Sequence, residues 1–170
     1  MPTGLYGKLP AHGDFVRRLL PDGFVEPWDS WLQSGIAAAR DALGEEFAGT
    51  WAAAPAWRFR LPPGACGTEE VAGVLLASED MVGRRFPVTL AATLAGAPPS
   101  ASWYEAAEAA ARAARDSGAS ADALLSALPA EPWPDVDAPP PGWWMAGDGR
   151  WDLPALPAAA QFRVLLEGGA

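Results

Sequence analysis

Residues 57–61 alternate between apolar and cationic side chains, with Trp57, Phe59 and Leu61 on one side and Arg58 and Arg60 on the other. A period of two over five residues predicts a half-buried strand, ended by Pro62, Pro63 and Gly64. Alternation returns over 85–94, where Phe86, Val88, Leu90 and Leu94 share a face. Pro87 has no N–H for a ladder, which predicts an edge or bulge position there. Between these stretches AGVLLA (72–77) is an unbroken apolar run, the pattern of a buried strand. Ser78–Arg84 then joins it to 85–94 as a hairpin. GLYGKLP (4–10) predicts a first strand or extended entry followed by a turn at AHGDF, and GWWMAG a last strand.

A period near 3.6 dominates elsewhere. From Glu26 to Leu43 the residues Trp28, Trp31, Leu32, Ile36, Ala39 and Leu43 fall on one helical face. Pro27 suits a first helical turn, Glu26 and Asp29 suit its positive dipole end, and Gly44 suits its stop. Ser102 and Glu105 have capping-box spacing and open an alanine-rich helix from Trp103 to about Asp116, broken at Ser117–Gly118. Shorter helices are predicted over Ala121–Leu128 and 158–166. The order β-α-β-β-β-α-α-β-α predicts one α/β domain over 1–170, with a mixed or antiparallel sheet of about five strands covered by helices. Residues 129–157 hold 8 of the 18 prolines and predict a loop inside that domain, since too little chain follows to build a second core.

Composition narrows the function classes. Half of the 170 residues are apolar and 19% are charged, which is globular and not disordered. The formal charge is −9, with 8 of the 12 basic residues in the first 90 positions. A net negative surface repels phosphate backbones, so general nucleic-acid binding is excluded. Cys66 is the only cysteine and forms no internal disulfide, which fits a reducing compartment. MPTGLYGKLP has no basic segment followed by an apolar one, so no secretory signal is predicted, and no apolar run is long enough to span a membrane. Nine tryptophans predict an aromatic core for most of them and an interface for the remainder.

Candidate chemistry is sparse. His12, Asp14 and Cys66 are the only residues that suggest nucleophilic catalysis, yet no cysteine-protease signature surrounds Cys66, which lies in a Pro/Gly-rich turn. One His and one Cys build no typical zinc site, and the paired acids (Glu45–Glu46, Glu69–Glu70, Glu79–Asp80) follow no calcium-loop pattern. No phosphate-binding glycine loop is present. No catalytic residue, metal site or cofactor is therefore predicted, and the expectation is a protein without enzymatic activity. Arg58, Arg60, Arg84 and Arg85 have two readings of equal weight. They form either a basic patch for a carboxylate or phosphorylated partner, or structural ion pairs with Glu79, Asp80 or Asp14.

Several stretches in register resemble the TagF family, also called ImpM, of type VI secretion accessory proteins. Tyr6-Gly7-Lys8-Leu9-Pro10 and Gly13-Asp14-Phe15-Val16 match its N-terminal signature. Phe24–Gln33 matches the next block, WRFRL, Cys66–Gly67 and AGVLLASEDMVGRRFPVTL the central one, and GWWMAG the late Trp-Trp segment. Residues 95–141 carry little of the pattern. The resemblance implies a post-translational repressor of type VI secretion in the bacterial cytoplasm. It implies the forkhead-associated (Fha) scaffold protein as partner, and a functional link to a PppA-type phosphatase to which some relatives are fused.

Three expectations follow. The first is a repressor that binds and sequesters the Fha scaffold through Lys8, Asp14, Trp28, Arg84 and Arg85, signature residues from separate segments that a compact fold can gather. The second is a small-ligand sensor whose pocket near Asp14, Arg84 and Arg85 controls partner binding. The third is a hydrolase using Cys66 and His12. Asp14 is expected to bond nearby backbone amides, or to pair with Arg17, Arg18 or a hairpin arginine.

Overall fold

The computed structural model describes residues 2–128, 132, 138–147, 150–151 and 156–169. Among the described residues, seven strands form one open sheet: β1 (Gly4–Gly7), β2 (Val16–Arg18), β3 (Trp57–Leu61), β4 (Glu70–Leu76), β5 (Val88–Leu94), β6 (Gly142–Trp144) and β7 (Arg150–Trp151). Their spatial order is β2-β1-β5-β4-β3-β6-β7, and every pairing is antiparallel. The two strands beyond the predicted five, β2 and β7, are the sheet's edges, and their two or three residues are too short to show a period.

Helices cover both faces. α1 (Asp22–Leu43), α2 (Phe47–Ala52) and α5 (Phe162–Glu167) pack with Trp57, Phe59, Leu61, Val71, Leu75 and Trp143 in one core. α3 (Ala101–Ser117) and α4 (Ala121–Ser126) pack on the other side against Leu5, Ala72, Val74, Leu76, Leu90 and Trp144. β4 and β5 have a helix layer on each side, which is why their sequences are almost continuously apolar. α3 presents Ala107, Ala111 and Ala114 to the sheet, so small side chains bring its axis close to the strands.

The boundaries differ from the sequence reading in explicable ways. α1 starts four residues before Glu26, because Phe24 and Val25 donate to the Pro21 carbonyl and extend the buried face; Pro27 therefore lies inside the helix. Gly44 ends it as expected, at φ 53°. α3 is capped by Ser100, whose hydroxyl accepts from Trp103 N–H at 3.3 Å, and not by Ser102. Phe86 does not share the face of Val88, Leu90 and Leu94, because β5 begins only after Pro87; its ring joins the opposite core. Pro87 sits just before a central strand, which removes the need for an edge or bulge. The predicted closing helix is a short 3-10 turn (Ala159–Gln161) followed by α5. Within the proline-rich stretch, residues 129–131, 133–137, 148–149 and 152–155 lie outside the described residues; the rest carries β6 and β7.

Candidate functional site

The N-terminal signature and the 78–86 turn meet at one end of the sheet. β1 leaves the sheet through Gly7 at φ 134°, where a Cβ would strike the Pro87 carbonyl oxygen. Only glycine permits that approach, and it lets Lys8 N–H donate to the same carbonyl at 3.3 Å. The chain then turns through His12, whose N–H donates to Leu9 O at 3.0 Å. Its carbonyl accepts from Met81 N–H at 2.8 Å, and its Nε2 accepts from Ala121 N–H at the start of α4 at 3.0 Å.

Asp80 holds the two segments together. Its main chain makes a turn in which Gly83 N–H donates to Asp80 O at 3.0 Å, with Gly83 at φ 85°. Glu79 and Arg85 pair as a single antiparallel bridge behind it. The Asp80 carboxylate is buried. Oδ1 accepts from the N–H groups of Val82 and Arg84, both at 3.0 Å. Oδ2 faces Arg84 Nε at 2.7 Å and Lys8 Nζ at 3.2 Å. Burial alone would raise this carboxyl, but the bonds from Arg84, Val82 and Lys8 outweigh it and hold it below the ordinary carboxylate range. Arg84 also donates from Nη2 to Gly13 O at 2.6 Å, so one guanidinium ties the turn to the N-terminal loop.

Near this buried anchor three apolar side chains reach solvent. Phe15 stacks on Tyr6 and meets Phe86 edge-on with centroids 4.8 Å apart, and Lys8 Nζ lies 4.8 Å above its ring. Phe15 is nonetheless 41% exposed, and Met81 and Val82, the two central residues of the turn, are 63% and 70% exposed. Turn centres normally take polar residues or glycine. Here two large apolar side chains stand in solvent on a turn fixed from beneath by four hydrogen bonds and ion pairs.

The five expected contact residues have different roles. Lys8 and Arg84 do converge, on Asp80, so the ion-pair reading of Arg84 holds. Asp14 is exposed and, among the described residues, accepts only from Phe15 N–H at 2.7 Å; Arg17 and Arg18 pair instead with Asp22 and Asp122. We therefore expect Asp14→Ala to change the melting temperature by less than about 2 °C, because no buried group is left unpaired. A larger loss in a thermal scan would contradict this placement. Trp28 is fully buried and donates from Nε1 to Thr89 Oγ1 at 2.8 Å, so its expected role as a contact residue is corrected to a core role. Arg85 is exposed. The proposed four-arginine patch does not form: Arg58 pairs with Glu108 at 3.3 Å beneath α3, and Arg60 pairs with Glu70 and donates to Pro139 O.

Cys66 and His12 are not partners. The thiol is buried, donates to Phe24 O at 3.8 Å and is pushed up to about 12 by burial, so it is protonated at neutral pH. No group of three or more His, Cys, Asp or Glu side chains that could hold a metal occurs among the described residues. The pocket expected near Asp14, Arg84 and Arg85 is instead a groove of about 370 Å³ that includes Arg85 but neither of the other two. No described helix is long and apolar enough to cross a membrane.

Sequence reasoning named Asp80 only as an ion-pair alternative. The signal for more was present in Asp80-Met81-Val82-Gly83, with Asp first and Gly fourth, the residue preference of a type I turn.

A family model described as the TagF N-terminal domain, type VI secretion system-associated, matches residues 4–130. The fold is similar to the crystal structure of PA0076 from Pseudomonas aeruginosa PAO1, with a TM-score of 0.84 and 34% sequence identity over 98% of this chain and 94% of that one. No match is found among curated proteins.

Proposed function

The chain belongs to the TagF family of type VI secretion system-associated proteins, and on that premise we propose that it represses secretion post-translationally by binding and sequestering the Fha scaffold in the bacterial cytoplasm. The observation that carries this reading is the Met81–Val82 tip beside Phe15: exposed apolar side chains on a rigid, pre-organised turn. Preorganisation lowers the ordering cost of association, and exposed apolar patches mark interaction sites. The signature residues Lys8 and Arg84 act from below, by fixing the turn through Asp80. Arg85 and the outer edge of Arg84 supply charge at the rim, where it steers encounter with an acidic surface. No chemical step is needed for this reading, and the buried, protonated Cys66 thiol gives no support to a thiol nucleophile.

The test replaces the tip and leaves its anchor. Met81→Asp with Val82→Asp is expected to weaken pull-down of the Fha protein by about tenfold or more, and to release secretion, while the circular dichroism spectrum and melting temperature stay near wild type. Undiminished binding by the folded double variant would remove this face from the interface.

A further inference from the structure

We propose that the groove between α2, the 77–85 segment and the C-terminal end of α3 binds a small organic anion carrying a carboxylate or phosphate group. Its volume, about 370 Å³, is within the range of small-molecule sites. Two guanidinium groups from separate elements line it, Arg85 from the turn and Arg115 from α3. Arg115 is held in place: Nη1 donates to Ala77 O at 3.1 Å and Nε to Asp116 Oδ1 at 2.9 Å, which leaves Nη2 for a ligand. Arg85 has no side-chain ion pair or hydrogen bond among the described residues, whereas each other described arginine holds a carboxylate, a carbonyl or an aromatic ring. An unpaired guanidinium in a concave site of a protein with net charge −9 is a fork of donors without an acceptor.

The rest of the groove suits the organic body of such a ligand. Trp51 forms a wall, fixed by its Nε1 bond to Ser78 O at 3.0 Å, and Pro10, Ala48 and Ala52 continue the apolar surface. Two carboxylates also line the groove. Asp116 is engaged by Arg115, and Glu79 lies across the β-bridge from Arg85, where it opposes a bound anion.

That arrangement fixes the sign of each substitution. Isothermal titration with inorganic phosphate, citrate and adenosine monophosphate is expected to show binding of at least one of the three. Arg85→Gln, at an exposed and unpaired side chain, should weaken that binding by about tenfold or more without lowering the melting temperature. Glu79→Gln should tighten it. A Met81→Ser, Val82→Ser variant, which removes the apolar tip without adding charge near Arg85, should bind the anion like wild type, so the outcome is independent of Fha docking. Absence of binding by all three probes, equal affinity in Arg85→Gln, or weaker binding in Glu79→Gln would overturn the proposal.

Discussion

Trp28→Ala is expected to lower the unfolding free energy by about 3–5 kcal/mol, the largest single-residue loss in the α1-side core. The indole is fully buried, and four aromatic rings surround it: Trp31 and Phe59 at 4.8 Å, Phe24 at 5.2 Å and Trp143 at 6.2 Å between centroids. These rings come from α1, β3 and β6, so the cavity left by truncation has walls on three elements and cannot collapse from one side. Truncation also strips the buried Thr89 hydroxyl of its donor. Trp28→Phe keeps an aromatic ring in the cluster but loses the Nε1–H and part of the indole volume; its expected cost is about 1–3 kcal/mol. Urea unfolding followed by circular dichroism measures both. A loss below about 1 kcal/mol for Trp28→Ala would show that the ring is not packed as described. Any effect of Trp28→Ala on partner binding should follow the fraction folded, since the ring has no surface to offer.

Trp28 also shows what the sequence could and could not disclose. Its spacing with Leu32, Ile36 and Ala39 placed it on the buried face of α1, and that reading holds. Assigning it to an interface rests on its place in a signature block and on residue type, and neither distinguishes a core tryptophan from a contact one. The strands followed the same rule. Trp57–Leu61 was legible to the residue because one face carries arginines and the other carries core residues. β2 and β7 were not legible because two or three residues define no period, and α2 was missed because six residues between two alanine-rich stretches show no stripe. The family motifs marked which segments matter, namely the Tyr6–Val16 signature and the 78–86 turn. They could not reveal that the centre of the arrangement is Asp80, because a buried carboxylate is recognised by donors converging from distant segments, and convergence is a property of the fold.

Asp80→Asn is expected to lower the melting temperature at pH 7 by on the order of 10 °C and to abolish the proposed Fha binding with it. The substitution is nearly isosteric, so sterics contribute little. An amide still offers one oxygen to the Val82 and Arg84 N–H groups, but its NH2 must then point at Arg84 Nε and Lys8 Nζ, which are themselves donors. Lys8 is left as a buried cation facing a donor, and Arg84 loses the bond that aligns it with Gly13 O. The Met81–Val82 tip loses its support, which is why binding should fail even below the unfolding temperature. The pH dependence separates this account from a packing defect. A carboxyl held below its unfolded value contributes its full stability above the ordinary carboxylate range and gives it up progressively as pH falls through and below that range. The difference in melting temperature between wild type and Asp80→Asn should therefore stay constant from pH 8 to about pH 5 and shrink steadily below it. A difference independent of pH down to pH 3 would mean that Asp80 acts through shape and not through charge. The turn would then have to be held by its backbone bonds alone.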